Sequence, residues 1–228
     1  MSRLGSLALV IAVWAALYLP WLGTSGLRSE EGHRVLPAVE MIESGNYLVP
    51  QIAGEPYLRK PPLINWLIAG SFELFGQRNE WTARAPSVIS VLLVAIAFVT
   101  TPPSLLGGRG ALAAALAWLT SLGMLEKGRM IEIEALYVSL FAFALICWLA
   151  SWRTGRSPWL TWTLPWLFLG LGLLAKGPAL LFFFYFLVMA ILSRTNRLRA
   201  ALHPAHFVGL VLMGMIFSAW AVPYARAV

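Results

Sequence analysis

Charged residues bracket a series of apolar runs along most of the chain: Leu7–Leu22, Ala85–Thr101, Ala111–Leu125, Ala135–Trp152, Trp159–Ala175, Pro178–Leu192 and Phe207–Val222. Because a helix needs roughly 20 residues to cross the hydrocarbon core, this pattern predicts about seven transmembrane helices. The third and sixth runs are short and would cross by snorkelling or by local thinning of the bilayer. The first run follows Arg3 much as a signal-peptide core follows its charged leader. No convincing small-residue cleavage site ends it and further spans follow, so it reads as an uncleaved signal anchor.

The segment 24–84 breaks the pattern. It holds most of the acidic residues and no clean run of spanning length, so it reads as an extramembrane first loop with interfacial helices. Val35–Ile42 suits an amphipathic turn or two, and Asn46–Leu58 is broken by Pro50, Gly54 and Pro56. Leu63–Phe75 follows Pro61–Pro62 and is too short for an eighth span, which makes it an interfacial helix. The predicted fold is all-α: a polytopic membrane helix bundle with a helical outer first loop, residues 1–228 forming one domain.

Composition supports a lipid environment. The chain is 59% hydrophobic and 12% charged, with a mean hydropathy of +0.75, too apolar for a domain that must wet its whole surface. The net charge of +7 comes from 17 Lys and Arg against 10 acids, but the basic residues are scattered in short clusters, which argues against nucleic acid as a partner. One cysteine, Cys147, excludes an internal disulfide and a cysteine metal cluster. His203 and His206 are separated by Pro204 and have no nearby carboxylate, so no metal site is predicted and a divalent cofactor has no sequence support.

Charge also orients the bundle. With the N-terminus cytoplasmic, the inner loops carry Arg3, Arg109, Arg153, Arg156, Arg194, Arg197 and Arg199 and no acid, and all ten glutamates fall on the outer side. Most of the outer basic residues lie in the long first loop, which counts less toward topology. The spans are apolar through their centres, which disfavours a transporter.

Candidate chemistry therefore sits on the outer rim. Glu30 and Glu31 follow the first span, and a partly desolvated carboxylate is a good general base; spacing alone favours a solvated acidic stub. Arg59 and Lys60 lead into the Leu63–Phe75 helix, whose N-terminus would favour phosphate or simply anchor on anionic headgroups. Arg129, Glu132 and Glu134 cluster before Ala135 either as a site or as an ion pair between Arg129 and a glutamate. Lys176 is a lone cation in an apolar turn and either snorkels or binds. No nucleotide-binding loop and no serine-hydrolase elbow is present.

The order of these landmarks resembles the ArnT-like and protein mannosyltransferase group of GT-C glycosyltransferases. The resemblance rests on the acidic pair, on Ser44-Gly45-Asn46-Tyr47-Leu48-Val49-Pro50, on Gly54-Glu55-Pro56-Tyr57-Leu58-Arg59-Lys60-Pro61-Pro62-Leu63, on the run from Arg129 to Glu134, and on Ala175-Lys176-Gly177-Pro178. It implies transfer of a sugar from a polyprenyl-phosphate carrier to a lipid or other acceptor, on the periplasmic face of a bacterial inner membrane and without a nucleotide. By the same resemblance Glu30 is the general base, Glu134 the second loop acid, and Lys60 with Tyr57 the holder of the donor phosphate; Glu31, Arg59, Arg129 and Lys176 are supporting residues. Two departures stand out. The chain has no aspartate, and the family's Asp-Glu-x-Arg-Tyr continuation reads Glu30-Glu31-Gly32-His33-Arg34, which displaces the arginine. Family members are also more than twice this length, so a partner chain supplying further helices, or a module that only binds lipid-linked sugar, is the alternative expectation.

Overall fold

A computed structural model describes residues 2–228. Ten α-helices make up most of it: α1 Arg3–Tyr18, α2 Gly32–Ser44, α3 Leu63–Phe75, α4 Glu80–Thr100, α5 Pro103–Thr120, α6 Leu122–Lys127, α7 Ile133–Arg153, α8 Pro158–Ala175, α9 Ala179–Arg194 and α10 Pro204–Ala227. Short 3-10 turns at Ser29–Glu31 and Leu198–Leu202 precede α2 and α10, and a two-residue hairpin pairs β1 (Gln51–Ile52) with β2 (Glu55–Pro56).

A helix occupies most of six of the seven predicted spans, and the interfacial helix has the predicted bounds. Four helices, α4, α7, α8 and α10, are long and apolar enough to cross a membrane, whereas α1, α3 and α9 are apolar but shorter. At 16 residues, α1 and α9 extend about 24 Å, short of a core of about 30 Å. The third expected span needs correction: Ala111–Leu125 is not one helix. α5 stops at Thr120, Ser121 is extended (ψ 136°), and α6 starts afresh at Leu122. The Ser121 hydroxyl donates to the Trp118 carbonyl at 3.0 Å, which satisfies one acceptor at the break.

α1, α4 and α5 share one apolar core, and α7 to α10 share another. A third core joins α2 and α3 to α7, α8 and α10, and so seats the first loop on the bundle. One seam shows how a helix-breaking residue is accommodated. Pro86 inside α4 has no N–H for the Thr82 carbonyl. The Ser71 hydroxyl of α3 donates to that carbonyl at 2.6 Å, in a buried position, and so ties α3 to α4.

α8 and α10 approach closely through small residues. A methyl group at Gly209 would fall on the Trp166 ring and the Trp162 carbonyl, whereas one at Gly214 would meet open space. Gly209→Val is expected to destabilise the protein by about 1–3 kcal/mol, with Gly214→Val close to neutral. Thermal melts of the detergent-solubilised variants check this, and equal melting temperatures would refute it.

Candidate active site

The glutamates gather at one end of the bundle, but they do different jobs there. Glu31 is fully buried. Its carboxylate takes a two-pronged bond from Arg84, Nε to Oε1 at 2.9 Å and Nη2 to Oε2 at 2.8 Å. It also accepts the Ile131 amide at 2.9 Å and the Arg28 amide at 2.8 Å. Burial pushes this carboxyl up, but the Arg84 bond, the two amides and the Arg84 charge outweigh burial and hold it below the usual carboxylate range. The other Arg84 donors reach the carbonyls of Leu22 and Ser25 at 2.6 and 2.9 Å. Glu31 is therefore neither a solvated stub nor a free base. It is a clamp joining the first loop, α4 and the turn before α7.

Glu30, its neighbour, points outward with a side chain 55% exposed. The desolvation expected of this pair thus falls on Glu31. The Glu30 carboxylate lies 3.5 Å from Arg34 Nη2 and 3.7 Å from His33 Nδ1. Arg34 is 7% exposed and donates from Nη1 to the Tyr57 hydroxyl at 2.7 Å, while its Nε is buried with no partner among the described residues. The Arg34 backbone is fixed in turn by Asn65 of α3, whose Nδ2 donates to the Arg34 carbonyl at 2.8 Å. The arginine that the sequence shows displaced is thus brought to the site, because a spacing of four residues puts Arg34 one helical turn from Glu30.

Tyr57 is placed by the hairpin. Ala53 and Gly54 take left-handed backbone (φ 55° and 79°) at its tip, and Glu40 of α2 accepts both of their amides. The Tyr57 amide then bonds the Pro50 carbonyl at 2.7 Å, and the Tyr57 ring stacks on His33. Three residues on, Lys60 is half-buried. Neither Lys60 nor Arg59 has a hydrogen-bonding or ion-pair partner among the described residues. They precede α3, whose first turn has no side-chain cap.

Glu134 and Lys176 form an ion pair at 2.6 Å, so Lys176 is bonded and not simply snorkelling. Tyr137, one turn after Glu134, braces the lysine's turn: its hydroxyl donates to the Gly177 carbonyl at 2.8 Å and accepts the Leu180 amide at 2.7 Å. Arg129 does not join them. Among the described residues it has no glutamate partner and donates instead to the Pro20 carbonyl, while Glu132 pairs with Lys127 at 3.0 Å. The ion pair expected between Arg129 and a glutamate is therefore absent among the described residues, because the turn at Gly128 swings Arg129 toward α1.

Two hollows flank these groups. A polar recess of about 430 Å³ lies behind Glu31, between Arg28, Arg84, Glu126 and Arg129. An apolar groove of about 390 Å³ runs between α3, α4, α7 and α8, lined by Leu63, Leu67, Ile89, Leu140, Phe143 and Phe168 among others. Among the described residues, no group of His, Cys and acids could hold a metal ion.

Residues 59–222 match the sequence model of dolichyl-phosphate-mannose-protein mannosyltransferases. The chain belongs to that family. Within the wider mannosyltransferase-like group it is 28% identical over 179 residues to the undecaprenyl phosphate-alpha-4-amino-4-deoxy-L-arabinose arabinosyl transferase of Pseudomonas savastanoi pv. phaseolicola, covering 77% of this chain and 33% of that one. It is 36% identical over 92 residues to the protein of the same name from Shewanella sediminis, covering 40% and 17% of the two chains. The crystal structure of ArnT from Cupriavidus metallidurans in the apo state superposes with a TM-score of 0.80 at 23% identity, over 98% of this chain and 42% of that one. The same protein bound to undecaprenyl phosphate gives 0.76 at 21%, over 98% and 40%. This chain therefore spans well under half the length of these relatives, and it shares with ArnT the fold of an all-α integral membrane bundle of the GT-C type.

Sequence reading missed three groups in this mannosyltransferase-family site. Arg34 was visible in its spacing from Glu30, and Tyr137 in its spacing from Glu134. Arg84, whose partner is 53 residues away, left no local signal.

Proposed function

We propose that the chain forms the catalytic end of a glycosyltransferase that moves a sugar from a polyprenyl-phosphate carrier to a lipid or glycan acceptor. The observation that carries this reading is Arg34. Almost wholly buried, it joins exposed Glu30 to the Tyr57 hydroxyl, so an exposed acid and a phosphate-compatible cation meet three residues before Lys60. In the reaction Glu30 takes the proton of the acceptor hydroxyl, whose oxygen bonds the anomeric carbon as the bond from that carbon to the carrier phosphate breaks. Lys60, which has no partner among the described residues, stabilises the departing phosphate, and Tyr57 positions it. The apolar groove starts three residues after Lys60 and two after Glu134, a suitable place for the carrier's hydrocarbon chain. The residues 1–228 act as one unit in this reading.

The acidic end faces outward in the same reading, because seven arginines and no acid occupy the opposite end. The same reading puts the chain in a bacterial inner membrane with its N-terminus cytoplasmic, as the arginine distribution favours. A second reading is a module that holds lipid-linked sugar and needs a partner chain for turnover.

Purified protein with polyprenyl-phosphate sugar and a lipid acceptor should release free polyprenyl phosphate, and Lys60→Ala should slow release by about 10²–10³-fold. Equal rates would remove Lys60 from the site. Donor binding without release by the unaltered chain would select the module instead.

A further inference from the structure

At the end of the bundle opposite Glu30 and Lys176, two helix-to-helix turns meet. α7 closes at Arg153, and Gly155 (φ 64°) carries the chain into α8. α9 closes at Arg194, and Asn196 (φ 53°) leads through the Leu198–Leu202 turn into α10. Between them lies a recess of about 210 Å³ lined by Ser151, Trp152, Arg156, Trp162, Arg197 and His203, among others.

The charged and ring-nitrogen groups of this recess are donors with nothing anionic to receive them. The chain has no acidic residue after Glu134, and the Arg156 and Arg197 side chains have no hydrogen-bonding or ion-pair partner among the described residues. The Arg197 guanidinium lies 5.8 Å over the Trp152 ring, a cation–π contact that holds it at the recess without using its N–H donors. His203 caps α10 by accepting the Ala205 amide on Nδ1 at 3.1 Å. That bond places the neutral ring's proton on Nε2, which then serves as a donor. α8 and α10 both begin here, with the positive ends of their dipoles at the recess.

The surroundings are apolar and exposed. Trp159 and Leu160 flank the start of α8, and Leu198 and Leu202 flank Arg197 and His203, at 51%, 37%, 47% and 70% exposure. The Trp159 ring meets His203 edge-on. Exposed cations beside exposed apolar side chains at the mouth of a recess fit an amphiphile better than a soluble anion.

We propose that this recess binds the phosphate headgroup of an anionic phospholipid. Arg156, Arg197 and the His203 Nε2–H take the phosphate oxygens, and the rim residues contact the acyl chains. The site lies about 30 Å from Glu30, one full helix length away, and is independent of the transfer reaction.

The purified chain in detergent is titrated with phosphatidylglycerol, phosphatidylcholine and inorganic phosphate, with bound ligand read by native mass spectrometry. Phosphatidylglycerol should bind at least tenfold more tightly than phosphatidylcholine, and inorganic phosphate should not displace it. Arg156→Gln/Arg197→Gln should weaken phosphatidylglycerol binding by about a hundredfold, at about tenfold for each charge-assisted contact. Arg153→Gln/Arg199→Gln, on the same end but outside the recess, should change it less than threefold. Unchanged melting temperatures without added lipid establish that both variants fold. Equal weakening by the two double variants would reduce the effect to diffuse charge. Displacement by inorganic phosphate, or no preference over phosphatidylcholine, would equally overturn the proposal.

Discussion

Replacing Arg84 with leucine while Glu31 remains is expected to cost about 3–5 kcal/mol of stability, because it strands a buried carboxylate. Glu31 has no solvent exposure and would keep only the Ile131 and Arg28 amides. The double variant Glu31→Leu/Arg84→Leu removes both charges and should recover much of the loss, although those amides and the Leu22 and Ser25 carbonyls lose their partners. The pH dependence follows from the direction of the Glu31 shift. A carboxyl held below its usual range in the fold contributes stability that is fully present above the unfolded-state value, about 4.3, and is lost as pH falls through the lower folded value. Single Arg84→Leu, by contrast, relieves its stranded charge on protonation. The gap between it and the unaltered protein should therefore shrink as pH falls, first above about pH 4.3 as the stranded carboxylate protonates and then further below it. Melts in detergent at pH 7 and pH 3.5 measure this gap; a gap that stays constant would mean that Glu31 carries no charge in the fold.

The largest expected effect on turnover belongs to Glu30→Gln. Glutamine keeps the shape and a polar contact to Arg34 but cannot take a proton, so kcat should fall by about 10²–10⁴-fold with donor KM little changed. Glu31→Gln instead should lower stability first, since its oxygens are already occupied by protein donors. Single-turnover release of polyprenyl phosphate, with melting temperature recorded for each variant, separates the two. A loss under tenfold for Glu30→Gln in folded protein would exclude it as the base.

The bundle was legible because long apolar runs bounded by charges have few other solutions, and α3 could be delimited because its apolar run starts directly after Pro61–Pro62. The break at Ser121 was not legible. Thr120 and Ser121 are residues that an apolar helix tolerates, so they do not mark a break by themselves, and Leu119 and Met124 on its two sides pack in the core shared with Tyr18 and α4. In the site, residues spaced for one helical face, Glu30 with Arg34, were recoverable from local geometry. The division of labour between Glu30 and Glu31 was not, since adjacent glutamates are chemically identical until Arg84 and the Ile131 amide claim one of them. Arg129 was misread for a similar reason: it is near the glutamates in sequence, but its acceptor on Pro20 is 109 residues away.

The Glu31 clamp also sets an order of events during synthesis. Its arginine lies 53 residues downstream and its last amide partner 100 residues downstream. At about 5–20 residues per second, roughly 5–20 s separate the appearance of the carboxylate from that of Ile131. During that interval the first loop cannot adopt its final position, and the end of the bundle that carries Glu30 stays open until the chain has been made as far as α7.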